Sequence, residues 1–333
     1  MSSDFSPEVP VLLLLFNRVD CAERLLSLLK SVGPRKIYVS CDGPRLGNHN
    51  DVFAVNAIKE KVLTSNWKGG IEVLFREDNL GCRKAVSGAI DWFFENEESG
   101  IILEDDCVPD LTFFSFCKEM LEKYRHDERV MGIGGQNYFS NKDFQYSYIF
   151  TKYNQTSGWA TWKRAWKHYD RDMANWPSLR NSDWLLSIGS GGKVFASYWK
   201  SIFDKAYEDK DFSSWAYRWT FSCWAQRGLS ILPTKNLVIN VGIGDNATHT
   251  KNDDHPIFRL SLEEMSFPLS HPPIIALSPI RETWLDVNVY RITYKSYVKS
   301  ILIKNRSTRW ISSLYGFMAN IVRRARIRCS MLR

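Results

Sequence analysis

The sequence predicts an α/β fold with a mostly parallel central sheet flanked by helices. Three observations carry this. Strand-like apolar runs alternate with helix-spaced segments through the first 124 residues. The first run, residues 9–16, is almost continuously apolar, as in a strand covered on both faces. Each run then ends in polar or turn-forming residues. A β-α-β-α-β-α-β order is satisfied by parallel strands with helices packed on both faces.

Residues 21–29 place apolar side chains at helical spacing, with Asp20 as cap and Gly33-Pro34 as stop. Residues 36–40 form a short second strand, and Asp42-Gly43-Pro44 is turn chemistry. A helix follows over 52–63 and a third strand over 71–75. The next helix spans 79–95, and Asn79 is suited to cap it. A fourth strand, 101–103, runs straight into Glu104-Asp105-Asp106. Residues 109–124 read as a helix with Pro109 in its first turn.

From about 130 to 250 the chain is richer in Trp, Tyr and Gly. Helices are predicted over 198–208 and 215–226, and strands over 229–233 and 237–241. From about 250 to 285 the chain holds many Pro and His, and 256–290 is read as a linker. Residues 291–333 mix apolar side chains with eleven Lys or Arg and no acid. This segment is expected to be a basic amphipathic helical extension. It would either lie on a membrane or pack on the body with its charges in water. No internal repeat is present.

The tail makes the protein basic. The net charge is +7, yet the remainder has 33 basic against 37 acidic residues. The tail's apolar content argues against nucleic acid as a partner. Composition, at 44% hydrophobic and 24% charged, is that of a folded chain. Seven cysteines without a CxxC pair point to reduced thiols. Acidic residues before the first apolar run do not fit a signal peptide, and that run is too short to span a bilayer. A cytoplasmic protein is expected, with peripheral contact to the inner face of a membrane through the tail as an open alternative.

Polar residues converge on one rim of the predicted sheet. Asn17 and Arg18 follow the first strand, Asp42 the second, Arg76 and Asp78 the third, and the acidic triplet the fourth. Ligands of parallel sheets bind beyond the carboxyl ends of the strands. Three adjacent acids after a buried strand need compensation. Either solvent or a hard divalent cation such as Mn²⁺ or Mg²⁺ supplies it. Such a cation also suits the diphosphate of a nucleotide sugar, and acts as Lewis acid on that leaving group.

The ordered set of motifs resembles the GT-A glycosyltransferases of the N-acetylglucosaminyltransferase I type, and within them bacterial sugar transferases. The set comprises Asn17-Arg18, Asp42 to Arg45, Asn79-Leu80-Gly81, and 101–110 with Phe113-Phe114. It continues with Ser157 to Lys163, Trp215 to Trp219, Pro233, Asn240 to Gly244 and Ala247-Thr248-His249. The likeness covers roughly residues 9–255. It implies one Rossmann-like GT-A domain over 1–255, with a donor half to about 130 and an acceptor half beyond.

The resemblance also implies roles. Asp106 would bind the metal, and Asp105 the donor ribose. Glu104 would orient the loop, Asp42 would face the base, and Arg18 would reach the phosphates. Asn79 joins the donor-binding set, and His249 would assist at phosphate or metal. The partners implied are a nucleotide-diphosphate sugar and a glycan or lipid-linked acceptor hydroxyl, with inversion at the sugar. Inverting transfer needs a carboxylate base. The related sequences carry Asp where this chain has Ser213 and Ala216. Asp211 is the nearest acid, with Asp245 an alternative. The segment 159–166 either stacks on an acceptor sugar or packs internally.

Other classes fit less well. A nucleotidyltransferase would carry a Gly-rich phosphate loop after the first strand, and a dinucleotide oxidoreductase a G-x-G-x-x-G. Residues 16–20, Phe-Asn-Arg-Val-Asp, hold no glycine. A catalytically impaired sugar-nucleotide or glycan-binding protein remains the alternative, given Ser213 and Ala216.

Overall fold

The computed structural model describes residues 9–139, 143–189, 191–242, 260–295 and 297–298. Its strands are β1 (Val11–Leu15), β2 (Ile37–Cys41), β3 (Ile71–Phe75), β4 (Ser99–Glu104), β5 (Cys107–Pro109), β6 (Val130–Gly134), β7 (Tyr148–Thr151), β8 (Trp159–Trp162), β9 (Leu229–Pro233) and β10 (Val238–Asn240). Eight form one sheet in the order β3-β2-β1-β4-β8-β6-β9-β7. β3, β2, β1 and β4 are mutually parallel, as are β6 and β9; β8 and β7 run antiparallel to their neighbours. β5 and β10 pair as a separate antiparallel ribbon beside the rim. The α/β class predicted from the sequence is the one observed.

The helices are α1 (Val19–Val32), α2 (His49–Thr64), α3 (Gly81–Asn96), α4 (Leu111–Lys123), α5 (Lys163–Trp166), α6 (Trp176–Leu179), α7 (Trp184–Ile188), α8 (Gly192–Glu208), α9 (Ala216–Ala225) and α10 (Pro279–Asn288). Strand alternation sorts them onto two faces. Val11, Leu13, Leu15 and Leu103 pack with apolar residues of α1, α2 and α4. Leu12, Leu14 and Ile102 pack on the other face with Val86, Ile90 and Phe93 of α3 and with Trp159, Trp166, Trp215 and Trp219. Each such side chain contributes roughly 1.5–3 kcal/mol on burial, which is why β1 tolerates no polar residue.

Helix ends differ from the sequence reading in instructive ways. α1 begins at Val19, so Asp20 lies in its first turn, favourable to the helix dipole, rather than capping it. Gly33 does end it, at φ 65°. α4 begins at Leu111, and Asp110 caps it by accepting from the Thr112 amide at 2.8 Å. Pro109 belongs to β5 instead.

The segment 256–290, expected as a linker, carries secondary structure of its own. α10 lies there and packs into a third apolar cluster through Leu285 and Val289, beside Trp199, Phe203 and Trp224. Buried Lys152 holds it, with Nζ 2.9 Å from Glu282 and 3.1 Å from Asp286. The Tyr153 hydroxyl donates to Asp286 as well. Nearly all of the basic tail lies outside the described residues, and so does the expected amphipathic helix. Among the described residues no helix is long and apolar enough to cross a membrane.

Candidate functional site

The chain leaves β1, builds β2 and β3 on one side, and returns to place β4 on the other side of β1. Such a reversal of strand order, at the carboxyl ends of β1 and β4, is where ligands of parallel sheets bind. Arg18 emerges there from β1, and Glu104, Asp105 and Asp106 emerge from β4. The Asp105 amide donates to Leu14 O at 3.1 Å, which carries the ladder up to the rim. Glu104 is in register with Leu14, and so shares the α3 face of the sheet.

Arg18 joins the two aspartates. Its Nη1 lies 3.0 Å from Asp105 Oδ1 and 2.7 Å from Asp106 Oδ2. The other Asp106 oxygen, Oδ1, accepts from Asn240 Nδ2 at 2.9 Å. Asn240 is itself oriented, because its Oδ1 accepts from the Gly242 amide at 2.8 Å. The Val241 amide donates to the Asp106 carbonyl at 2.8 Å. Gly242 lies so close that a Cβ there would be 2.7 Å from Asp106 Cβ and 2.9 Å from Arg18 Nη1. Only glycine lets the chain pass over this carboxylate.

The charges perturb one another. Burial pushes the Glu104 carboxyl up to about 8, with Asp106 and Asp105 adding and Arg18 opposing. Burial likewise lifts Asp105 to about 6, against the pull of Arg18. Arg18 is raised too: burial works against its charge, but Asp105 and Asp106 outweigh it. Glu104 has no hydrogen-bond or ion-pair partner among the described residues. The rim is therefore an acidic cluster with one cation set into it.

Asp42 and Asn79 meet, though not in the predicted arrangement. Asp42 accepts from the Leu80 amide, the Gly81 amide and Asn79 Nδ2, each at 3.1 Å. Asn79 Nδ2 also donates to the Gly43 carbonyl at 2.9 Å. Asp42, rather than Asn79, thus satisfies the amino end of α3, from a different element. Asn17 donates to buried Asp51, which also holds Arg45. These residues brace the Asp42–Arg45 turn.

Among the described residues, no hydrogen bond or ion pair joins Asp211 to this rim. Asp211 is an exposed residue of the turn between α8 and α9, and its amide donates to Asp209 at 2.9 Å. His249 and Asp245 lie outside the described residues. Trp159, Trp162, Trp166, Trp215 and Trp219 are all buried, so internal packing accounts for the segment 159–166. Trp159 and Trp215 stack on each other, with ring centres 5.7 Å apart.

Sequence reasoning gave no role to Asn240, Gly242 or Arg218. The Asn-x-Gly spacing was the available signal for the first two. Arg218 is 3% exposed and donates to the carbonyls of Arg171, Ser214 and Ala206. It thereby fixes the turn that carries Asp211, Ser213 and Ser214. Among the described residues no three His, Cys, Asp or Glu side chains converge as a ready metal-ligand group.

No family model matches the chain, and no curated protein matches it. Among solved structures, it is similar to HddC from Yersinia pseudotuberculosis complexed with GMP-PN. The identity is 12% and the TM-score 0.29, over 47% of this chain and 77% of HddC. A likeness at that level carries no argument about this chain.

Proposed function

We propose that the protein is a metal-dependent glycosyltransferase acting on a nucleotide-diphosphate sugar, with the GT-A arrangement that its motifs resemble. The observation that carries the reading is the Arg18–Asp105–Asp106 cluster at the carboxyl ends of β1 and β4. It combines what a diphosphate donor requires: a guanidinium for phosphate oxygens and carboxylates for a hard cation. The residues suit such a cation, because the aspartates already enclose a positive charge. Mg²⁺-type ions need only one or two carboxylates when phosphates and water complete the shell. Bound there, Mn²⁺ or Mg²⁺ would supply Lewis acidity to the departing diphosphate.

The chain's own residues do the positioning. Asn240 fixes the Asp106 carboxylate, and Gly242 keeps the approach narrow. Arg18 is the residue that reaches donor phosphate, and Asp105 binds the ribose. Asp42, capping α3, sets the wall beside which the base would lie. The acceptor is a glycan or lipid-linked hydroxyl, and transfer inverts the sugar carbon.

Asp106→Asn tests this. Titration with Mn²⁺ and a panel of nucleotide diphosphates should show metal-dependent binding to wild type that is lost in the variant. Undiminished binding in Asp106→Asn removes the metal assignment. A second reading, a sugar-nucleotide or glycan-binding protein that has lost catalysis, draws on Ser213, Ala216 and the exposed position of Asp211. Asp211→Asn separates the two: a fall in turnover with donor binding intact marks it as the base. Donor binding without release of nucleotide diphosphate, from any sugar of the panel, favours the binding protein.

A further inference from the structure

We propose that Arg18 is a resident counter-ion that keeps the Asp106 carboxylate closed to a divalent cation until a diphosphate draws the guanidinium away. The inference rests on the metal reading above and adds an order of assembly to it.

The geometry gives four reasons. One nitrogen, Nη1 of Arg18, serves both carboxylates, at 3.0 and 2.7 Å, so the cation sits between them. The remaining Asp106 oxygen is committed to Asn240 at 2.9 Å. Gly242 passes too close for the carboxylate to swing free, since even a Cβ there would overlap it. Both Asp106 oxygens are therefore in use, and the one a metal can gain is the one Arg18 holds.

The fourth reason is mobility. The Arg18 side chain is 33% exposed, while those of Asp105 and Asp106 are 9% and 14% exposed. The guanidinium has a route outward; the acids do not. A dication entering beside Arg18 would place three positive charges within a few ångströms, so the two compete. A diphosphate resolves the competition. It accepts the guanidinium through paired hydrogen bonds and leaves the Asp106 oxygen to the metal. Arg18 then works against metal binding in the free protein and for diphosphate binding in the complex.

Metal and diphosphate must consequently favour each other, and by the same factor in both directions. Calorimetric titration of the full chain with Mn²⁺ alone, then with Mn²⁺ at saturating inorganic pyrophosphate and corrected by the same titration into pyrophosphate without protein, reads this coupling without any turnover. Wild type should bind Mn²⁺ on the order of tenfold more tightly when pyrophosphate is present. Arg18→Met should bind Mn²⁺ alone on the order of tenfold more tightly than wild type, bind pyrophosphate more weakly, and lose most of the coupling. Arg18→Gln, which keeps polar contacts without charge, should show the same signs and guards against misfolding of the methionine variant.

If both variants bind Mn²⁺ alone no better than wild type, while wild type shows coupling that Asp106→Asn abolishes, the counter-ion inference is overturned and the metal site stands. If wild type binds no Mn²⁺ with or without pyrophosphate, both are overturned.

Discussion

Replacing Glu104 by glutamine provides a quantitative test of the electrostatics at the rim. Burial, followed by the charges of Asp106 and Asp105, holds this carboxyl at about 8 against an ordinary 4.5. At about 1.4 kcal/mol per pH unit, the rise sets a ceiling of roughly 5 kcal/mol. An effective interior dielectric near 20, and the sharing of the effect with Asp105, lower the expected value to about 2 kcal/mol. Below about pH 4 the group is protonated in both folded and unfolded chains and favours neither. Above its ordinary value the unfolded chain gives up the proton while the folded chain retains it up to about pH 8. Stability is therefore lost as pH rises through that window. The amide of the variant has no such proton to lose. Glu104→Gln should match wild type in acid and exceed it progressively to about pH 8, reaching roughly 3 °C in Tm. Thermal unfolding of both proteins in metal-free buffers from pH 4 to 9 measures the difference directly. A constant difference across that range, or wild type gaining on the variant as pH rises, would refute the account of Glu104 as a half-buried acid crowded by acids.

Three further outcomes follow from individual contacts. Lys152→Met leaves Glu282 and Asp286, each 5% exposed, without their cation; chemical denaturation should show a loss of about 3–5 kcal/mol. Asp42→Ala removes the acceptor for the Leu80 and Gly81 amides. It should cost about 1–2 kcal/mol in urea unfolding, and Asn79→Ala, which leaves those two bonds, should cost less. Gly242→Ala drives a methyl group into Asp106. Mn²⁺-dependent nucleotide diphosphate affinity should fall on the order of 10- to 100-fold, with a Tm near that of wild type because the rim is at the surface of the sheet.

Much of the first half of the fold was legible in the sequence. β3 and β9 match their predicted bounds, and β1, β2 and β4 differ by a residue or two at their ends. Their apolar runs are short and interrupted by clear turns, so local pattern suffices. β6 escaped notice because it contains Gly132 and Gly134, poor strand formers by themselves. Tertiary packing explains them: a Cβ at Gly134 would strike Gln155, and one at Gly132 would crowd Ser230. β8, Trp159–Trp162, carried an i,i+3 spacing that fits a helix equally well. Its strand character comes from pairing with β4 and β6 on either side. α10 was hidden because its anchor, Lys152, lies 130 residues earlier than Glu282.

The sequence by itself determined which residues reach the rim, because a strand's alternation and its terminating turn are local properties. Arg18, Asp42 and the acidic triplet are at the carboxyl ends of their strands for that reason. Tertiary structure alone decided what each of them touches. It turned Asp42 toward the α3 amides and set Arg18 between Asp105 and Asp106. It also brought Asn240 and Gly242 onto a carboxylate 134 residues away from Asn240. The physical reason is that a buried charge or amide must be satisfied by whichever group the fold places within about 3 Å. That partner is fixed by the path of the chain and by no pattern within a single segment.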